Sequence, residues 1–414
     1  MGFPTINFDR LKQDLQSLSE IGRETDHGLF RMAFTPGDMA ARAWLETRIR
    51  ESGLEVYIDG AANIHARLGW DGERPSVMTG SHLDTVPGAG HLDGALGVLA
   101  GLECLRCIKE QNLPLRLPLE SVAFTDEEGR FGGMFGSRAL CGQLTPGGIA
   151  QARDLRGVRL IDAMAEQGLD AMDALQAQRN RDSISAFVEL HIEQGPVLDR
   201  QRLRIGVVDA IAGLFKWQAR LIGEANHAGT TPMSMRRDAF QGLAELAGAL
   251  PRILAENGSP RSVATIGRGG LVPAVANVVP GRADFTLDVR DTDPIMLGQL
   301  ADAFRRALSA IARRRELMFE FDVVSELAPV KCDIGIVDNI SELCGAMGVA
   351  ATRMHSGAAH DTQILATITR AGMIFVPSKE GRSHSPAEWT AWDDIETGTN
   401  VLLNTLCRLA GEVA

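Results

Sequence analysis

Residues Ser81 to Gly94 read SHLDTVPGAGHLDG, directly after the apolar run Ser76 to Thr79. Three further stretches place metal-binding side chains where a strand-like run stops. TDEEG (Thr125 to Gly129) follows Leu119 to Phe124, ELHIEQG (Glu189 to Gly195) ends the run from Ile184, and SHSP (Ser383 to Pro386) follows Met373 to Val376. In open α/β sheets, ligand sites form beyond the carboxyl ends of the strands. His82, Asp93, Glu127, Glu128, His191 and His384 should therefore meet on one rim. Three imidazoles and three carboxylates from separate strands describe a two-metal hydrolase.

Each residue has more than one use. In H-x-D, Asp84 is placed to accept the second N–H of a metal-bound His82. Asp93, with two carboxylate oxygens, can bridge two cations ~3.5–4 Å apart, and it also stands where an Asp caps a helix. Glu127 and Glu128 should point to opposite sides if their strand continues, so that one binds metal and the other holds a water. His191 could be a core histidine and His384 a surface one.

The order of elements extends this picture. Phe8 to Ser19, Pro36 to Ser52 and Gly94 to Glu110 have helical spacing, with Leu54 to Ile58 and Ala66 to Leu68 as short strands. Such alternation implies a mixed, mostly parallel sheet flanked by helices. Leu155 to Gln178 reads as a surface helix. Past Ala212 the pattern becomes βαββαβ: strands Leu214 to Ile222, Ser262 to Gly267, Ala283 to Val289 and Leu317 to Val324, with helices Asp238 to Glu256 and Pro294 to Glu316. That is a ferredoxin-like unit. It predicts an inserted domain, 212–328, between catalytic segments 1–211 and 329–414, which the helix Trp392 to Ala410 closes.

Composition narrows the function. The 414 residues suit two domains. The net charge is −11, and the basic cluster Arg313 to Arg315 reads as a helix end, which disfavours nucleic acid as a partner. The beginning of the chain lacks a signal-peptide core, and no apolar run approaches the ~18 residues of a membrane span. Six cysteines in this length do not make a disulfide framework, and Cys104-x-x-Cys107 lies in an apolar helical pattern, so the cytoplasm is expected.

Together the motifs resemble the dinuclear-metal amidohydrolases and peptidases that include aminoacylases and carboxypeptidases. The match is to their branch of N-carbamoyl-L-amino-acid hydrolases, allantoate amidohydrolases and β-alanine synthases. It is carried by AFTPGDMAAR (Ala33 to Arg42), HIEQGP (His191 to Pro196), NHAGTTPM (Asn226 to Met233), ANVVPG (Ala276 to Gly281) and SHSPAE (Ser383 to Glu388). The resemblance implies a zinc-peptidase-like catalytic fold with an inserted lid and dimerisation domain. It implies two divalent ions per subunit (Zn, Mn, Co or Ni), one on His82 and His191, the other on Glu128 and His384, with Asp93 bridging. Glu127 would be the general base. Gln194, His227, Asn277, Arg290, Gly357 and Ala358 match substrate contacts, and His227 would act in the neighbouring subunit of a homodimer.

Three departures line the expected pocket: DEEGRF one residue short after Gly129, Ala359 in SGAAHD, and His91 before Asp93. They bear on substrate identity. The reaction expected is hydrolysis of the ureido C–N bond of an N-carbamoyl-L-amino acid. Arg290 would clamp the carboxylate, and His227 and Asn277 would donate to the oxyanion. Arg290 is equally placed for an ion pair with Asp288 or Asp291. Allantoate, another ureido acid, an N-acyl amino acid or a dipeptide are alternative substrates. A metal-binding scaffold on the same fold is the non-enzymatic alternative, although it has no need of a base beside its metals.

Overall fold

The computed structural model describes residues 2–24 and 27–411. The chain folds as two compact units. The first comprises Met1–Asp209, Cys332–Met354 and His360–Ala414, and the second Ala210–Lys331 with His355–Ala359. In chain order the elements used below are α1 (Phe8–Ser19), α2 (Pro36–Glu51), β1 (Glu55–Ile58), β2 (Ile64–Leu68), β3 (Ser76–His82), α3 (Ala95–Glu110), β4 (Leu119–Phe124), β5 (Ile184–Ile192), β6 (Ile205–Ile211), β7 (Gly213–Ile222), α4 (Ala239–Asn257), β8 (Val263–Val272), β9 (Arg282–Asp291), α5 (Pro294–Arg314), β10 (Met318–Leu327), β11 (Val330–Lys331), α6 (Ile334–Ala346), β12 (Ala351–Ser356), β13 (Arg370–Val376) and α7 (Trp392–Gly411).

The first unit is built on a mixed sheet in the order β6-β13-β5-β3-β4-β2-β1. Parallel pairing joins β13, β5, β3 and β4 at the centre. β1 and β2 are joined by a short turn, which admits only an antiparallel pair; β2 then pairs antiparallel with β4, as does β6 with β13. Every residue of β3 and β4 is buried, as expected of strands covered on both faces. Helix α3 is buried through almost all its length, with Cys104 and Cys107 as unpaired core thiols. The carboxyl ends of β3, β4, β5 and β13 share one edge and lead into the four motifs.

One expected helix is absent. Leu155 to Gln178 is broken into a short helix Leu160–Ala165 and a 3-10 segment Ala171–Gln176. Gly168, at φ +75, ends the first piece, and the Asp170 side chain accepts the Met172 N–H to start the second.

The second unit is a βαββαβ arrangement with sheet order β8-β9-β7-β10, antiparallel throughout. Strict alternation in β9 buries Ala283, Phe285, Leu287 and Val289. They pack with Trp217 of β7, Leu246 of α4 and Leu300 and Phe304 of α5 in the core of the unit.

Candidate active site

Asp93 is the hub of the first unit's site. Its Oδ1 lies 3.2 Å from His191 Nε2 and 3.5 Å from His82 Nε2, and its Oδ2 lies 3.4 Å from His384 Nε2. His384 Nε2 is also 3.5 Å from Glu128 Oε1. The five residues thus divide into two groups of metal-ligand geometry, His82–Asp93–His191 and Asp93–Glu128–His384, which share Asp93. Asp93 does not cap α3: the cap position is Gly94, whose N–H donates to His191 Nε2 at 3.2 Å. Gly94 has φ +66, and a Cβ on it would overlap the His82 ring.

Both buried imidazoles are aimed by backbone carbonyls. His82 Nδ1 is 2.9 Å from the Asp84 carbonyl, and His191 Nδ1 is 2.9 Å from that of Ile192. Such bonds place the proton on Nδ1 and leave Nε2 as a metal donor. The acceptor for His82 is therefore Asp84's main chain and not its carboxylate, as H-x-D suggested. The carboxylate instead accepts the backbone N–H groups of Glu127 at 3.3 Å and Glu128 at 3.1 Å.

That bond reshapes the TDEEG turn. The strand does not continue through the two glutamates. It ends at Phe124, and Asp126, at φ +55, reverses the chain. Glu127 Oε2 comes within 3.6 Å of His82 Nε2, while Glu128 faces His384. The two carboxylates thus reach different imidazoles of one site.

The carboxyl groups of the cluster are shifted in opposite directions. Burial, with Glu128 and Asp361 nearby, pushes Glu127 well above the usual carboxylate range. Burial and Asp93 push Glu128 up to about 7. Burial also opposes ionisation of Asp93, but hydrogen bonds from His191, His384 and His82 outweigh it and hold Asp93 well below the usual range. Glu128 Oε1 is buried with no hydrogen-bond partner. An orphaned carboxylate oxygen, three converging imidazoles and a shared Asp make a mixed N/O donor set that fits divalent-metal ligation.

Gln194 also belongs to this site. Its Nε2 donates to Asp93 Oδ2 at 2.6 Å, while its Oε1 is buried and unpartnered. The other expected substrate contacts, His227, Asn277, Arg290, Gly357 and Ala358, all lie in the second unit. Asn226–His227 pairs antiparallel with Val278–Val279, and the Ala228 N–H donates to the Asn277 carbonyl, so His227 and Asn277 are neighbours. His227 Nδ1 accepts the N–H groups of Gly229 at 3.1 Å and Thr230 at 3.2 Å. This puts the ring proton on Nε2, the outward donor of an exposed side chain.

Arg290 makes the ion pair that its sequence position allowed. Nε and Nη2 bond the Asp288 carboxylate at 2.9 and 3.2 Å, and Nη1 donates to the Gly357 carbonyl at 2.7 Å. A guanidinium carries about five N–H groups in a fixed fork. These bonds leave one N–H on each terminal nitrogen. Ala358 folds back on the Ser356 hydroxyl through its N–H at 3.1 Å.

Three supporting carboxyls were not singled out in the sequence. Glu388 Oε1 accepts the N–H groups of Leu92 and Asp93, and its Oε2 accepts the Ser383 hydroxyl. Its place in SHSPAE was the available signal. Glu189 and His360 cluster with His191, but Glu189 is engaged by the Ser81 hydroxyl and by the Thr362 N–H and hydroxyl. It is a brace joining β3 and β5 to the segment after His360. Asp361 is pushed up to about 8 by burial and Glu189. Among the described residues no helix is long and apolar enough to cross a membrane.

The chain is similar to known proteins over nearly its whole length. Residues 78–408 match the model of peptidase family M20/M25/M40. The chain is 40% identical to an N-carbamoyl-L-amino acid amidohydrolase of Geobacillus stearothermophilus, over 98% of this chain and 99% of that one. It is 36% identical to the allantoate amidohydrolase of Escherichia coli, over 97% of each. A crystal structure of an amidase of the hydantoinase/carbamoylase family from Burkholderia multivorans superposes with a TM-score of 0.91 at 32% identity, over 99% of this chain and all of that one. The chain belongs to peptidase family M20/M25/M40.

Proposed function

We propose that the protein is a metal-dependent amidohydrolase that cleaves the ureido C–N bond of an N-carbamoyl-L-amino acid, releasing the amino acid, ammonia and carbon dioxide. The observation that carries this reading is the division of Asp93, with Oδ1 toward His82 and His191 and Oδ2 toward His384, while Glu127 stands beside His82. That division supports two ions per chain. When bound, two divalent cations supply Lewis acidity to a carbonyl that is otherwise a poor electrophile and to the attacking water.

The chain's own groups do the rest. A Glu127 carboxylate oxygen takes the proton of the water and passes it to the leaving nitrogen. The Gln194 Oε1, buried without a partner, accepts a substrate N–H. The remaining N–H groups of Arg290 hold the α-carboxylate, with Asp288 keeping the guanidinium oriented. His227 Nε2–H and the Asn277 amide donate to the oxyanion. The exposure of His227 and its outward proton support action in the active site of a second subunit, and so a homodimer.

The similarity to allantoate amidohydrolase supports one second reading, a ureido acid of that kind as the main substrate. A panel of N-carbamoyl amino acids, allantoate, ureidoglycolate, N-acyl amino acids and dipeptides separates them. The highest kcat/KM should fall on an N-carbamoyl-L-amino acid. Far better turnover of allantoate would replace the first reading with the second.

A further inference from the structure

Beside Glu128 the first unit holds a cavity of about 460 Å³. This lies in the ~300–1,000 Å³ range of small-molecule sites. Asp84 and Glu128 belong to its wall, together with Met32, Val86 and Pro87. The mouth is edged by the 154–158 loop, which contributes Leu155 and Val158.

The loop is firmly built. Asp154 Oδ1 accepts the N–H groups of Arg156 at 2.8 Å and Val158 at 3.0 Å. The Asp154 N–H donates to the Val158 carbonyl, and Arg153 and Arg159 pair across the loop's base. Arg130, two residues after Glu128, pins it: Nε and Nη2 bond Asp154 Oδ2 at 3.3 and 3.2 Å, and Nη1 donates to the Ala33 carbonyl at 2.6 Å. The loop is thereby tied to the segment that carries a metal-ligand candidate. It holds Leu155 entirely in solvent, at 107% relative exposure. An apolar-walled cavity, a rigid rim and an adjoining cluster of catalytic carboxyls are the features of a specificity pocket.

We propose that this cavity receives the side chain of the amino acid being released, and that it selects large apolar side chains, with Leu155 as a specificity-determining residue. The inference rests on the reading of the site as one for N-carbamoyl-L-amino acids. Arg130 and Asp154 neutralise each other in the rim, so the loop offers a substrate chiefly its apolar side chains. Arg156 also reaches the cavity, which makes an acidic side chain the competing occupant to be tested.

The test measures kcat/KM of the metal-reconstituted protein on the N-carbamoyl derivatives of leucine, phenylalanine, glycine and aspartate. One methylene in an apolar pocket discriminates by about 10- to 200-fold, so leucine and phenylalanine should exceed glycine by roughly 100-fold or more. Leu155→Asp should lower the leucine-to-glycine ratio by about 10-fold or more, and Leu155→Met should retain it. A wild-type ratio near one, a preference for aspartate, or an equal loss on all substrates in Leu155→Asp would overturn the assignment and leave the carbamoyl reading in place. Conversion of a dimer to a monomer by Leu155→Asp, read by sedimentation, would give the cavity to a second copy and equally overturn it. Hydrolysis of none of the four substrates would overturn both the inference and the reading beneath it.

Discussion

The Asp84 carboxylate accepts the backbone N–H of Glu128 at 3.1 Å. With its second bond, to the Glu127 N–H, it sets the turn that presents a base candidate and a metal-ligand candidate together. Asp84→Asn keeps the size of the side chain but replaces one acceptor oxygen by an N–H₂ that faces a donor. Loss of such a supporting partner typically lowers metal affinity or activity by ~10- to 100-fold. Isothermal titration with Mn or Zn, alongside turnover, checks this; unchanged values for both would show that the turn holds without Asp84.

Glu127→Gln is expected to retain both metals and lose ~100- to 10,000-fold in turnover. The amide is near-isosteric and cannot accept the water's proton. Metal content and kcat should be measured on the same preparation. Near-normal turnover in a metal-loaded variant would make Glu127 structural.

Gly94→Ala is expected to weaken metal binding by about 10-fold or more while the protein stays folded. The positive φ is unfavourable for alanine, and the new Cβ has no space beside the His82 ring. Circular dichroism and metal titration together test it, and wild-type affinity in the alanine variant would mean that His82 is free to move.

The strands and the polar side chains gathered at their ends were legible because each buried run stops at a polar motif, as β4 does at Phe124 before Thr125–Gly129. What the motifs could not show is direction. Asp84 serves His82 through its carbonyl and the two glutamates through its carboxylate, and only the reversal at Asp126 makes that possible. Glu388 reaches the Asp93 N–H from nearly three hundred residues away, a pairing that no local spacing encodes. Arg290 lay on a readable alternating strand, but its fork on Asp288 is a matter of side-chain geometry. The 155–178 segment failed as a helix because Gly168 and Asp170 punctuate it, and their turn chemistry outweighed the apolar spacing.

Subunit exchange tests whether His227 acts across a dimer interface. His227→Ala and Glu127→Gln proteins should each be nearly inactive. Mixing them should create one site per heterodimer with an intact base and an intact donor, and restore activity toward about half of wild type per heterodimer if the sites act independently. Verified exchange without recovery would confine His227 to its own subunit.

The direct test of the Asp93-centred site is metal stoichiometry by mass spectrometry of the elements, after chelation and reconstitution with Mn, Co, Ni or Zn. Because His82 and His191 face one Asp93 oxygen and His384 the other, two ions per wild-type chain are expected, with activity returning as they bind. Asp93→Ala should hold neither ion tightly. A wild-type chain that is fully active with one ion, or with none, would contradict the two-metal assignment.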